Sequence, residues 1–191
     1  MIDICNISFS YGEKPILRDY SLHVGRGERI CLFAPSGIGK TTLLRLIAGL
    51  EKPTSGEIRL GGRVTYLFQE DRLLPWLNLL DNLTLIGADR QRALRVLESV
   101  GLEEAEKFPD ELSGGMRRRA AIARAICAGG DILLLDEPFT GLDAGLRGRS
   151  AEALKREFAD AAVIMITHIH EEAEIMGAEI VNFVPDARAN I

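Results

Sequence analysis

The sequence predicts an α/β fold: a mostly parallel, buried core sheet, an antiparallel β lobe at its start and a helical lobe inserted in its middle. Three observations carry this. The apolar runs at residues 29–33, 131–135 and 162–167 are each long enough only for a buried strand. Helical segments separate them, and strands alternating with helices imply a parallel sheet. Between residues 72 and 107 the apolar period changes to one that marks two or three helices.

The elements follow in order. Residues 2–10 alternate apolar and polar side chains and read as a strand, residues 11–15 as a turn and residues 16–24 as the partner strand. Gly25-Arg26-Gly27-Glu28 is a second turn, after which residues 29–33 enter a glycine-rich loop. Leu43, Leu44, Leu46 and Ile47 stand at helical spacing, so residues 41–50 form the helix that the loop opens into. Residues 57–60 and 64–68 are strand-like. Leu73, Leu77, Leu80 and Leu83, then Ala93, Leu94, Val96, Leu97 and Val100, mark two or three helices. The expected division is one domain, 1–191, with residues 1–71 and 131–191 forming the core and β lobe and residues 72–130 the helical lobe.

A chain of 191 residues suits one domain with a full core. The net charge of −5 argues against a nucleic-acid binder by electrostatics, so no nucleic-acid partner is expected. The run Arg117-Arg118-Arg119 is local, either a solvated helix face or a partner site. Cys5, Cys31 and Cys127 are odd in number and lack metal-like spacing, so they read as reduced, mostly buried thiols. The first residues lack the order of a signal peptide, and no apolar run approaches the roughly 20 residues that span a bilayer. Any membrane role is therefore expected to go through another chain.

Ala34-Pro35-Ser36-Gly37-Ile38-Gly39-Lys40-Thr41 is a phosphate-binding loop. Its backbone N–H groups form a nest for phosphate oxygens, and the following helix points its positive end at the same place. Glycine lets the backbone approach without a Cβ. Lys40 supplies a mobile cation for the β and γ oxygens, and the Thr41 hydroxyl suits a Mg²⁺ ligand. Pro35, Ser36, Gly37, Ile38, Gly39, Lys40, Thr41 and Thr42 are the expected nucleotide contacts. Ala34 departs from the usual glycine, with mild strain at most expected. Further on, Ile132-Leu133-Leu134-Leu135 places Asp136 and Glu137 at the carboxyl end of a buried strand, where ligands bind in open α/β sheets. Leu112-Ser113-Gly114-Gly115 precedes a basic helix, with Ser113 as its N-cap. The Ser113 hydroxyl, the Gly114 and Gly115 amides and the helix dipole make a second anion site.

These three segments, in the chain order phosphate loop, Leu112-Ser113-Gly114-Gly115 and then Asp136-Glu137-Pro138, resemble the ATP-binding cassette (ABC) family. The resemblance runs from Ile2 to about Ile180 and implies an ATPase that uses ATP and Mg²⁺. It assigns Asp136 to the metal with Thr41 and Gln69, and Glu137 to polarising the attacking water. Gln69 matches the glutamine that links the γ-phosphate and metal to the helical lobe, and His168 the switch histidine. Tyr11 lies where an aromatic ring stacks on adenine; its alternative is packing on the β lobe. His23 and His170 have no such support and are left as surface residues.

In the family, the Ser113-Gly114-Gly115 site covers the ATP held by the other subunit's phosphate loop. The resemblance therefore implies a head-to-tail homodimer, with Leu142-Asp143 crossing its interface beside the nucleotide. Met116 replaces the usual glutamine, with little expected effect because the backbone amides are unaffected. Residues 68–76, Phe68-Gln69-Glu70-Asp71-Arg72-Leu73-Leu74-Pro75-Trp76, resemble ATPases of nitrate, sulfonate and taurine importers. Residues 72–77 are the candidate docking surface for an integral-membrane permease. Leu73 and Leu77 read rather as core of the helical lobe; for Trp76 both readings stand. The resemblance thus implies a transporter subunit on the cytoplasmic face of the membrane, bound to permease chains and served indirectly by a solute-binding protein. A soluble ABC ATPase of a non-transport machine is the alternative. It is disfavoured because neither a fused second cassette nor a long coiled-coil insertion is present.

Overall fold

The computed structural model describes residues 1–186. Cα packing divides the chain into two units: residues 1–66, 130–136 and 160–191, and residues 67–129 and 137–159.

The first unit holds two sheets. In the antiparallel sheet, β1 (Ile2–Tyr11) lies between β2 (Lys14–Val24) and β4 (Ser55–Leu60). The β1–β2 turn shrinks to Gly12 and Glu13, because Tyr11 already pairs with Lys14. Asn6 and Asp19 take left-handed φ values of 47° and 50° where the ladder is irregular. Serine hydroxyls accept from both freed amides: Asn6 N–H donates to Ser21 Oγ at 2.9 Å and Asp19 N–H to Ser8 Oγ at 3.1 Å. The five-stranded sheet has the order β5 (Val64–Leu67), β6 (Ile132–Asp136), β7 (Ala162–Ile166), β3 (Arg29–Phe33), β8 (Glu179–Asn182). β3 runs parallel to β7 and β8, and β6 parallel to β7. Every residue of β6 and β7 is buried, as their uninterrupted apolar sequences require. Helix α1 (Lys40–Ile47) packs Leu43, Leu44 and Ile47 into one core with Ile2, Ile132 and Ile164. Helix α6 (His170–Met176) then leads into β8.

The second unit is helical: α2 (Leu79–Thr84), α3 (Arg90–Ser99), a single 3₁₀ turn (Pro109–Glu111), α4 (Gly114–Ala128) and α5 (Ala144–Glu157). The four α-helices start on the same chemistry. Asn78, Asp89, Ser113 and Asp143 each accept from the amide three residues on, at 2.8, 2.9, 3.3 and 2.9 Å. Such caps are each worth about 0.5–2 kcal/mol against alanine. Residues 137–159 pack with the helices of this unit, whereas the sequence reading groups them with the core. Among the described residues no helix is long and apolar enough to cross a membrane.

The structure narrows three sequence readings. The arginine run is not a solvated face: Arg118 and Arg119 are 3% and 8% exposed. Successive helical residues diverge by about 100°, so the three side chains reach different segments. Arg117 donates to Leu112 O at 2.6 Å and Arg119 to the carbonyls of Val100 and Gly101. Cys5 is exposed at a mid-strand position of β1, while Cys31 and Cys127 are buried. Trp76 is 70% exposed and forms no part of the core of its unit. Its loop is nonetheless fixed. The buried Asn82 accepts from Leu74 N–H at 2.8 Å and donates to the carbonyls of Leu74 and Leu77 at 3.2 and 2.9 Å.

Candidate active site

In the first unit the phosphate-binding loop joins β3 to α1. Gly37 and Gly39 carry φ values of 78° and 114°. A Cβ on Gly39 would also lie 2.7 Å from Ile16 Cγ2, so this position needs glycine for both torsion and space. Ala34 is not among the positive-φ residues, so it adopts the loop geometry without that strain. Lys40 is 5% exposed, and its ammonium donates to the carbonyls of Ala34 and Pro35 at 2.5 and 3.0 Å. The cation is thus tethered at the mouth of the loop whose amides it serves. Ser36, Gly37 and Ile38 are exposed or half-buried, and Thr41 and Thr42 open α1.

Two distant segments converge on this loop. Thr41 Oγ1 donates to Asp136 Oδ1 at 3.4 Å, and Tyr66 O–H donates to Asp136 Oδ2 at 3.2 Å. Asp136, at the end of β6, is 2% exposed. A hydroxyl and a buried carboxylate are hard oxygen donors of the kind Mg²⁺ takes beside phosphate oxygens and water, so this pair fits that ion. His168 Nε2 lies 3.3 Å from Ser36 Oγ, which brings the strand end after β7 to the loop. Thr167 and the buried Glu172 are hydrogen-bonded behind it, and Ile169 N–H donates to Thr167 Oγ1 at 3.2 Å. His23 pairs with Asp3 at 2.5 Å, and His170 lies against Phe33 with ring centroids 4.2 Å apart; both stay exposed.

Tyr11, 43% exposed, meets Phe9 edge to face at 4.9 Å and donates to Glu51 Oε1 at 3.4 Å. Both sequence readings of it keep support: the ring is braced on the β lobe and remains exposed.

In the second unit Glu137 is half-buried at φ 48°, a left-handed conformation that costs a non-glycine residue about 1–3 kcal/mol. Its carbonyl accepts from Arg118 Nη2 at 2.8 Å and Thr140 Oγ1 at 3.2 Å. Gln69 is exposed, and its carbonyl accepts from Arg118 Nη1 at 3.2 Å. Ser113 and Gly114 are exposed at the start of α4. A Cβ on Gly115 would press to 3.3 Å on Gly141 O, so the signature segment and the loop before α5 lie in close contact. Asp143 is exposed, but its carboxylate is engaged in capping α5.

Sequence reasoning missed Tyr66 and Arg118. Alternation along β5 flags Tyr66 only as one side of a strand, and Arg118 is hidden in a polar run.

A phosphate nest between a buried parallel strand and a helix, with a carboxylate from the end of β6, one strand removed in the same sheet, on its threonine, defines a P-loop nucleoside triphosphatase. The ABC transporter family model matches residues 17–140. The aliphatic sulfonates import ATP-binding protein SsuB 1 of Rhodococcus jostii is 44% identical over 189 residues, covering 94% of this chain and 77% of the relative. The taurine import ATP-binding protein TauB of Escherichia coli is 41% identical over 204 residues, covering 97% and 80%. Among solved structures, a dimeric bacterial ABC transporter cassette matches with a TM-score of 0.84 at 31% identity, over 92% of this chain and 91% of that one. A dimeric post-hydrolysis cassette bound to ADP and Pi matches at 0.83 and 30%, with the same coverage. The chain belongs to the ABC transporter family, as one of its ATP-hydrolysing subunits.

Proposed function

We propose that this chain is the motor of an importer: a head-to-tail homodimer on the cytoplasmic face of the membrane that hydrolyses two ATP at its interface and drives permease subunits. The whole chain works as one cassette. The observation that carries the reading is the contact between Thr41 Oγ1 and Asp136 Oδ1, because it joins the phosphate loop to the acidic strand end. The names of the relatives, with the importer-like segment at residues 68–76, support a small sulfonate as the transported solute. A solute-binding protein delivers it to the permease.

The residues divide the work. The amides of the loop and Lys40 hold the β- and γ-phosphates, and Tyr11 stacks on the base. Thr41 and Asp136, with Gln69, would hold Mg²⁺, which would neutralise developing phosphate charge. Glu137 accepts the proton of the attacking water as it bonds to the γ-phosphorus and the bond to the ADP oxygen breaks. His168 orients that reaction from the loop side. The Ser113-Gly114-Gly115 amides, with Asp143 nearby, close over the ATP of the second subunit. Catalysis by positioning and charge suits phosphoryl transfer, which asks for little covalent chemistry from the protein.

The test is reconstitution with the cognate permease in vesicles that contain Mg-ATP, followed by uptake of labelled taurine or an alkanesulfonate. ATP-dependent uptake that Glu137→Gln abolishes is expected. Hydrolysis without uptake of any sulfonate would overturn the solute, and no hydrolysis at all would overturn the motor.

A further inference from the structure

Arg118 has no role in the mechanism so far, yet it is the most enclosed cation of the second unit among the described residues, with 3% of its side chain exposed. Burying a guanidinium is costly unless each donor finds an acceptor. Here the acceptors are mostly backbone carbonyls, and they come in two consecutive pairs. Nε donates to Pro138 O at 2.8 Å and Nη2 to Glu137 O at 2.8 Å. Nη1 donates to Phe68 O at 2.7 Å and Gln69 O at 3.2 Å, with Asp71 Oδ1 at 3.5 Å. One planar fork therefore ties the peptide of the proposed base to the peptide of the proposed γ-phosphate glutamine. It does so from the helix whose first turn is the signature segment.

We propose that Arg118 is a positioning residue for ATP hydrolysis, fixing the main chain of Glu137 and Gln69 and binding both to helix α4. Three features support this. Glu137 sits at φ 48°, a conformation a glutamate does not keep unaided, and Arg118 is one of the groups that hold its carbonyl. The fork spans four carbonyls, which the three donors of a lysine, gathered on one nitrogen, cannot do, nor the two of a glutamine. A cation that served packing alone would be replaced at lower cost by an apolar side chain. The inference rests on the reading of Glu137 as the base.

The experiment compares Arg118→Gln, Arg118→Lys, Glu137→Gln and the double variant Arg118→Gln/Glu137→Gln in the full chain. Nucleotide affinity is titrated with a fluorescent ATP analogue, single-turnover hydrolysis is followed over hours, and melting is recorded. Arg118→Gln should fold, bind nucleotide within about threefold of the parent and hydrolyse at least ~30-fold more slowly, as expected when a transition-state group is displaced. Arg118→Lys, which keeps the charge, should not restore the parent rate. In the double variant the losses should not multiply: its rate should lie within about threefold of Glu137→Gln alone. A folded Arg118→Gln at the parent rate would overturn the proposal, as would losses that multiply or an affinity that falls in step with the rate. If neither Arg118 variant folds, Arg118 is a folding residue and the proposal fails. If Glu137→Gln itself hydrolyses at the parent rate, the assignment of the base falls, and this inference with it. If the parent and Glu137→Gln behave as expected and only Arg118→Gln does not, the function stands and the positioning role alone is lost.

Discussion

Ser36 Oγ and His168 Nε2 lie 3.3 Å apart, although 132 residues separate them in sequence. The contact brings a histidine from the end of β7 to the second residue after Ala34, where the loop begins to turn around the phosphates. A ring held there can act on the γ-phosphate without leaving the loop. His168→Ala should therefore lower kcat by about 10²-fold, the range for a lost proton-positioning group. Nucleotide affinity should change little, because Lys40 and the amides remain. A parallel titration and turnover assay checks this, and a mutant with the parent kcat would remove His168 from the site.

Lys40→Ala and Glu137→Gln should separate binding from chemistry. In the proposed mechanism the lysine contacts ground-state phosphate, so its loss should weaken ATP binding. The proposed role of the glutamate lies in the transition state, so its amide should bind ATP normally, hydrolyse about 10²–10⁴-fold more slowly and accumulate an ATP-bound dimer. Light scattering with and without Mg-ATP decides the matter. A Glu137→Gln chain that stays monomeric at saturating ATP would count against the shared site.

Ser113→Arg should abolish hydrolysis while one subunit's affinity for nucleotide stays close to the parent's. Ser113 caps α4 and belongs, in this reading, to the ATP of the partner, so a bulky cation there blocks closure and leaves its own loop intact. Equilibrium titration showing a loss of affinity as large as that of Lys40→Ala would refute the shared arrangement.

Trp76→Ala should uncouple transport without disabling the motor. The ring is 70% exposed on a loop that Asn82 fixes, so truncation removes little packing and the melting temperature should hold. An aromatic anchor at an interface is commonly worth about 2 kcal/mol or more, so co-purification with the permease should fall. A melt lowered together with ATPase activity would show that the side chain supports the fold instead.

The thiols should split by accessibility and by pH. Burial pushes Cys31 and Cys127 up to about 11, while Cys5 is exposed. At pH 8 a maleimide should label Cys5 quickly and the other two only after unfolding, as intact-mass measurement would record. The sign for stability follows. The folded chain resists ionising the two buried thiols, so their contribution is intact below about pH 8.5, the usual thiol value, and is lost as pH rises towards 11. A melting temperature flat from pH 8 to 11 would contradict it.

The phosphate loop, Asp136 and the buried strands were legible because each demands rare chemistry: glycine at positive φ, an uninterrupted apolar run, a carboxylate at a strand end. Helices α5 and α6 and strand β8 were not. The Gly145 and Gly148 of α5 dilute its period, α6 has only seven residues, and β8 is mostly exposed, so its alternation is weak. Arg118 escaped because three successive arginines look alike in sequence. Only the direction of each side chain shows which one faces a ring of carbonyls. Two of the three cysteines are buried, as expected of thiols; Cys5 is the exception because it lies on the outer face of β1.

The second unit leaves Trp76, Leu85, Ile86 and Phe108 at 40–70% exposure. Apolar groups of this size kept in water are a standing invitation to self-association. Overproduced alone, the subunit should foul chromatography surfaces and precipitate on concentration, and mild detergent should keep it in solution. Its handling on the bench therefore becomes a readout of whether these side chains are covered.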